Sequence, residues 1–252
     1  MNHNSLKKFY LFLLPLFIFL IHLPFVFAKV KSDKEIHTTV AGKKVTANIH
    51  SMNSKSFLYD SLRLNTLGLS EDAFAYAIKG YNYLLSMGKL NNDQVLSIVD
   101  FSLPSGKKRL FVIDMENAKV LFNTYVAHGR NSGKEYANQF SNAPESFKSS
   151  LGFYITKGTY NGEHGFSLQL EGEEKGINDN ALSRAIVIHC ADYVNEKVVQ
   201  SQGYVGRSLG CPALPKKYST PIIQTIKNGT CLFMFSPDSK YLSNSKILQS
   251  AS

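Results

Sequence analysis

From Val95 to Phe235 the apolar residues come in short runs, separated by Gly, Asn, Ser and Pro. Runs of this length rich in Val, Ile, Leu and Phe read as strands rather than helices. They fall at residues 95–101, 109–114, 119–127, 152–156, 167–170, 185–189 and 230–235, with 115–118 as the turn joining the second and third. Such a succession predicts a mainly-β domain of sandwich or barrel type.

One strong helix precedes the strands. Ser70 is its cap, and Glu71 and Asp72 put negative charge in the first turn, where the helix dipole favours it. Phe74, Ala77, Ile78, Tyr81, Leu84 and Leu85 recur at helical spacing, and Gly88 supplies a stop. This N-terminal helix, over 70–87, is expected on the outside or edge of the β domain. A shorter one is expected over 221–227, closed by Gly229.

The first 28 residues are of a different character. Lys7 and Lys8 precede an apolar run from Phe9 to Phe27, broken by Pro15, His22 and Pro24, and Val26-Phe27-Ala28 ends it with small residues where a signal peptidase reads. A basic start, apolar middle and small-residue end predict an export signal cleaved after Ala28. An uncleaved anchor is the alternative, because the run is just long enough to span a bilayer. Residues 29–61 read as a polar, Lys-rich lead-in, 62–236 as the domain, and 237–252 as a frayed, Ser-rich tail.

The chain has 252 residues, 28 Lys and Arg, 19 Asp and Glu, and only 3 Cys. Its aromatic content excludes a disordered chain, and its cysteine count excludes a disulfide-built miniprotein. A net charge of +9 suits a partner rich in carboxylates. Nucleic acid would suit it too, but the export signal and the absence of a basic–aromatic binding motif argue against that.

Chemistry concentrates in two segments. Residues 185–189 form an apolar run ending in His189. Residues 206–213 form a Gly-rich loop presenting Cys211. A thiol is a weak nucleophile until it loses its proton, and a histidine within reach can take that proton or hold the thiolate as an ion pair. Gly210 leaves room beside the sulfur for a carbonyl, and backbone N–H groups around Cys211 can face a developing oxyanion. Spacing alone also allows Cys211 to be an inert packing residue.

Taken together, several segments resemble a known family. They are Val99-Asp100-Phe101-Ser102, the run Val126 to Gly133 with its His128-Gly129-Arg130, Phe140-Ser141-Asn142, the run Ser149 to Tyr154, Ile188-His189, and Arg207-Ser208-Leu209-Gly210-Cys211-Pro212. In this order they resemble the murein L,D-transpeptidase catalytic domain, a divergent branch of the YkuD type, over roughly residues 62 to 236. The resemblance implies an L,D-transpeptidase-like β-sandwich or barrel and acyl transfer on peptidoglycan stem peptides. Cys211 is then the nucleophile, His189 its base, and Ser208 and Gly210 the support of the oxyanion site. It implies no cofactor and an exported protein, periplasmic or associated with the cell wall. Where the common pattern has a His before Gly-Cys this chain has Leu209, and where it continues with an apolar residue and an Arg this chain has Pro212 and Ala213. The divergent branch usually carries Gly after the strand-end histidine, and Cys190 replaces it.

Arg207 is a candidate carboxylate clamp, and His128 and His164 are candidate substrate-binding residues. A zinc peptidase built from three of His128, His164, His189 and Cys211 is a weaker reading, since none has a close helical ligand spacing. Asp192 is a candidate to orient His189, with a backbone carbonyl as the alternative. Cys190 and Cys231 are either reduced or bridged to each other. With water as acceptor the same site would be a carboxypeptidase, and without turnover the chain would be a wall-binding protein.

Overall fold

The structure, a computed structural model, describes residues 56–250. The expected export signal and the lead-in through residue 55 lie outside the described residues. The end of the lead-in is ordered, contrary to expectation. Residues 56–61 are helical, and Tyr59 packs on Phe74 at 5.5 Å and donates to Leu69 O at 2.6 Å.

Helix α1 (Glu71–Ser86) follows, capped by Ser70 Oγ accepting from Ala73 N at 3.2 Å. Phe74, Ala77, Ile78, Tyr81 and Leu84 of its apolar stripe are buried, whereas Leu85, expected with them, faces solvent. The strands are β1 (Val95–Asp100), β2 (Leu110–Asp114), β3 (Lys119–Thr124), β4 (Gly152–Gly162), β5 (Gly165–Gly172), β6 (Val187–Cys190), β7 (Ala213–Leu214) and β8 (Cys231–Phe235). Helix α2 (Glu196–Gln202) lies between β6 and β7, and α3 (Lys216–Ile226) between β7 and β8.

The strands form one sheet in the order β3-β2-β1-β8-β4-β5-β6-β7. The pairs β1–β8 and β6–β7 are parallel and the others antiparallel. Strands β1 and β8 are buried along their whole length. That explains why β8 reads as an unbroken apolar run and why β1, interrupted by the buried Ser97 and Asp100, does not alternate. The two edges nearly meet. Beyond β3, Ala127 N donates to Ala213 O, and Gly129 bridges Ser208. This bends the sheet into a nearly closed barrel and brings segment 126–130 against the Cys211 loop.

Four expectations need correction. Strand β4 runs to Gly162 instead of ending near 156, because its outer half is polar and exposed and gives no apolar signal. Helix α2 has no fully buried residue, only Val199 packs partly on the core, and so it carries no stripe to read. Helix α3 begins at Lys216, five residues before Pro221, and the buried Ile222, Ile223 and Ile226 hold it despite the proline within. The tail is not frayed. It forms α4 (Ser239–Asn244) and α5 (Lys246–Ser250), with Tyr241, Ile247 and Leu248 buried. Its anchor is the buried carboxylate of Glu174, which accepts from Phe153 N at 2.8 Å, from Tyr241 Oη at 3.1 Å, and from Ser245 Oγ.

Candidate active site

Strands β6 and β7 place His189 opposite Ala213, two residues past Cys211. The loop carrying Cys211 is built from its own polar groups. Ser208 Oγ accepts from Gly210 N at 3.1 Å and donates to Cys211 O at 2.6 Å, which closes a tight turn around the thiol. Gly210 has φ 126°, and a Cβ there would meet Lys148 O at 2.9 Å, so no other residue fits without strain. Ser208 N donates to His128 O and Arg130 N to Ser208 O, tying the turn to the far edge of the barrel.

Cys211 is half-buried. Its Sγ accepts from Val187 N at 3.5 Å and donates to Ala185 O at 3.7 Å. Burial pushes the thiol up, against the Val187 N–H and the nearby Arg184 guanidinium, which pull it down. His189 is buried. Its Nδ1 donates to Cys190 O at 2.8 Å, the only role the ring can take toward a carbonyl, and this leaves Nε2 as an acceptor. Burial lowers the affinity of His189 for a second proton, the Cys190 carbonyl opposes this, and His164 adds to it. Both groups therefore rest neutral at neutral pH. A preformed thiolate–imidazolium pair, one of the two expected arrangements, is not the resting state. Among the described residues no hydrogen bond joins Cys211 and His189.

The other expected residues divide. His164, at the tip of the β4–β5 hairpin, stacks on His189 with ring centroids 4.5 Å apart. His128 does not reach the site. It is fully buried, its Nδ1 accepts from Arg109 Nη2 at 2.8 Å, and its Nε2 donates to Gly133 O at 3.2 Å. With both nitrogens used, it can neither bind substrate nor serve as a metal ligand. Arg207 is exposed, but its Nη1 donates to Arg130 O and Gly133 O, both at 3.3 Å, so it joins two loops more than it stands free as a clamp. Asp192 does not orient His189. It pairs with Lys216 at 2.9 Å on the surface, and the Cys190 carbonyl does the orienting. Cys190 and Cys231 are not bridged. Strands β4 and β5 lie between theirs, a separation of about 14 Å at the usual strand spacing, twice what a disulfide spans. Among the described residues no three His, Cys, Asp or Glu side chains converge as a metal site.

Two residues near the thiol carried no signal in the sequence. Arg184 holds the 141–150 segment around the Gly210 turn. Its Nη1 donates to Ser141 O at 2.9 Å and Ser150 Oγ at 2.6 Å, and its Nη2 to Lys148 O at 2.7 Å and Ser146 Oγ at 3.2 Å. Tyr193 packs against Gly206, and burial, with Cys211 nearby, pushes its hydroxyl up to about 12. An isolated Arg and Tyr between apolar runs look like ordinary surface, and only the closure of the barrel gives them this place. A cavity of about 560 Å³ lies elsewhere, between Phe140, Ile177 and Tyr241, with Lys175 and Lys240 at its rim. It includes neither Cys211 nor His189.

The family described as L,D-transpeptidase catalytic domain matches residues 65–235. Among proteins with curated functions, none matches the chain. Similar solved structures include an L,D-transpeptidase from Mycobacterium smegmatis, at 14% identity and a TM-score of 0.35, covering 57% of this chain and 59% of that one. Another is the helical cell shape determining protein Pgp2 from Campylobacter jejuni, at 14% identity and a TM-score of 0.39, covering 69% and 59%. The chain thus spans 59% of the length of each of these two proteins. From the family match, which takes in every strand of the barrel as well as His189 and the Cys211 loop, the chain belongs to the L,D-transpeptidase catalytic domain family.

Proposed function

We propose that this chain is an exported cysteine acyltransferase acting on peptidoglycan stem peptides, with Cys211 as nucleophile and His189 as general base. The observation that carries the reading is the His189 tautomer. Its Nδ1–H is spent on the Cys190 carbonyl, and Nε2 is left basic, on a strand paired to the one that follows Cys211. With thiol and imidazole both neutral, attack calls for proton transfer from one to the other as it proceeds, and general-base catalysis of this kind contributes about a hundredfold or more.

In the first step the sulfur bonds to the carbonyl carbon of the diamino acid before the terminal D-alanine, and its proton passes to His189 Nε2. Among the described residues the Cys211 N–H has no intramolecular acceptor, so it can donate to the oxyanion. Collapse of this intermediate breaks the peptide bond. His189 returns the proton to the leaving D-alanine amine, and a thioester remains on Cys211. An amine from a neighbouring stem gives a cross-link, and water gives a trimmed stem, so the acceptor alone separates transpeptidase from carboxypeptidase.

One observation favours a second reading, a wall-binding protein without turnover. The Cys211 S–H donates to Ala185 O and not to His189. Intact-protein mass spectrometry after incubation with disaccharide tetrapeptide, and separately with a carbapenem, decides between them. We expect an adduct on Cys211, absent from Cys211→Ala, with soluble products that identify the acceptor. No adduct with all three thiols reduced would establish the wall-binding reading, which Cys211→Ala would leave intact.

A further inference from the structure

The β4–β5 hairpin outruns the barrel. Pairing of β4 with β8 ends at Ile155, whereas pairing with β5 continues to Gly162–Gly165. Beyond the barrel this ribbon is two strands wide and largely exposed. A free two-stranded ribbon is marginal in water, so its tip must be held by something else. Phe166 packs against the core just inside the tip, and among the described residues His164 at the tip makes two contacts, both to consecutive residues of β6. The His164 ring stacks on His189, with an interplanar angle of 24°, and the Cys190 S–H donates to His164 O at 3.4 Å.

We propose that His164 is a positioning residue for the base, its ring delivered by the hairpin and anchored through Cys190 so that it fixes the plane of the His189 imidazole and covers it from water. The inference rests on the reading of Cys211 and His189 as the acylating pair. A single hydrogen bond from Nδ1 fixes the tautomer but leaves the ring free to tilt about that bond. A second ring stacked on its face removes the tilt, and Nε2 then keeps one direction. An S–H is a weak donor, and the stack and the hydrogen bond support each other because both fix the same residue. Where the family's divergent branch carries glycine, Cys190 supplies a side chain that can make this anchor.

Among the described residues, His164 from the hairpin tip stacks on His189, and β7, which follows the Cys211 loop, pairs alongside it. Cys190 is its neighbour on β6, and the Asp192–Lys216 pair lies on the surface beyond. His164 adds to the burial that keeps His189 neutral, so its loss raises the proton affinity of the base as well as loosening the ring.

The test uses the full chain and the variants His164→Ala, His164→Phe and Cys190→Gly. One readout is the NMR titration of His189 Cε1–H, assigned by its loss in His189→Ala and requiring no substrate. The other is the rate of Cys211 adduct formation with a carbapenem as a function of pH. We expect His164→Ala to raise the His189 midpoint and slow acylation about tenfold, part of the general-base contribution. His164→Phe, which keeps a flat ring, restores the rate to within about twofold of wild type. Cys190→Gly shifts both readouts as His164→Ala does, by less. An unchanged midpoint and rate in His164→Ala overturns the proposal. Equal loss in the Ala and Phe variants also overturns it, since His164 would then act through its nitrogens on substrate. If wild type forms no Cys211 adduct, or His189→Ala reacts at the wild-type rate, the acylating pair itself is wrong, and the titration still reports whether the stack exists.

Discussion

Arg109 and His128 lie side by side, fully buried beneath the Cys211 turn. Arg109 Nε and Nη2 donate to Val126 O, Nη1 to Leu103 O, and Nη2 also to His128. Desolvation, with Arg109 beside it, takes His128 down from its ordinary 6.5 to about 4. As the pH falls, the unfolded chain takes up this proton before the folded one does. The stability tied to neutral His128 is thus present above pH 6.5 and is lost toward pH 4, by about 3 kcal/mol. The lowered His189 acts in the same direction. Glu174, raised by burial, acts in the opposite one, since its share is present at low pH and lost as the pH rises through its folded value. Urea unfolding at pH 7 and pH 4 should show the loss in wild type and a smaller one in His128→Gln; equal losses would remove His128 from the account. Arg109→Met should cost at least about 3 kcal/mol, because it strips donors from buried acceptors. His128 looks like a cleft residue in the sequence because a strand, a histidine and a glycine stand in that order. Its partner, Arg109, reads there as the first residue of a strand, and nothing local tells that its side chain turns inward.

Among the elements, α1 and β8 were the most legible, since their apolar spacing is dictated by burial alone. Gly80 shows what the pattern hides. It sits mid-helix, where glycine is a poor choice, and a Cβ there would meet Phe153 Cζ at 2.0 Å. Phe153 in turn is stacked on Phe233 at 4.2 Å and cannot swing aside. Gly80→Val should therefore lose about 2–3 kcal/mol in thermal or urea unfolding; a stability equal to wild type would mean that the helix can lift off the sheet at no cost. The C-terminal helices were illegible for a different reason. Their Ser-rich sequence carries few apolar residues, and the carboxylate that anchors them lies 67 residues before Tyr241. Tyr241→Phe, which removes one donor from Glu174, should cost about 1–2 kcal/mol. An unchanged unfolding midpoint would mean that Ser245 and the Phe153 N–H satisfy the carboxylate without it.

Over the whole molecule, the mainly-β class and the position of the site at a strand end could be read from spacing and resemblance. The closure of the barrel could not, because it rests on segments of four and two residues, Val126 to Gly129 and Ala213–Leu214, that have no periodicity of their own. The excess of positive charge predicts that a Cys211→Ala variant binds carboxylate-rich wall fragments more weakly as salt rises. Sedimentation with isolated sacculi at two ionic strengths measures this, and binding that ignores salt would point to apolar recognition.

The place of β8 has a bearing on how such a molecule comes into being. It is the last strand in the chain, yet it lies between β1 and β4 and pairs Val99 with Met234. Until residues 231–235 have been made, β1 and β4 lack the strand that lies between them, and the two halves of the sheet meet only where segment 127–130 reaches the Cys211 loop and β7. Contacts this distant in sequence form late and slowly. Completion of the sheet therefore waits for the last strand, and the β1 and β4 edges that β8 joins come together only once nearly the whole described length has been made.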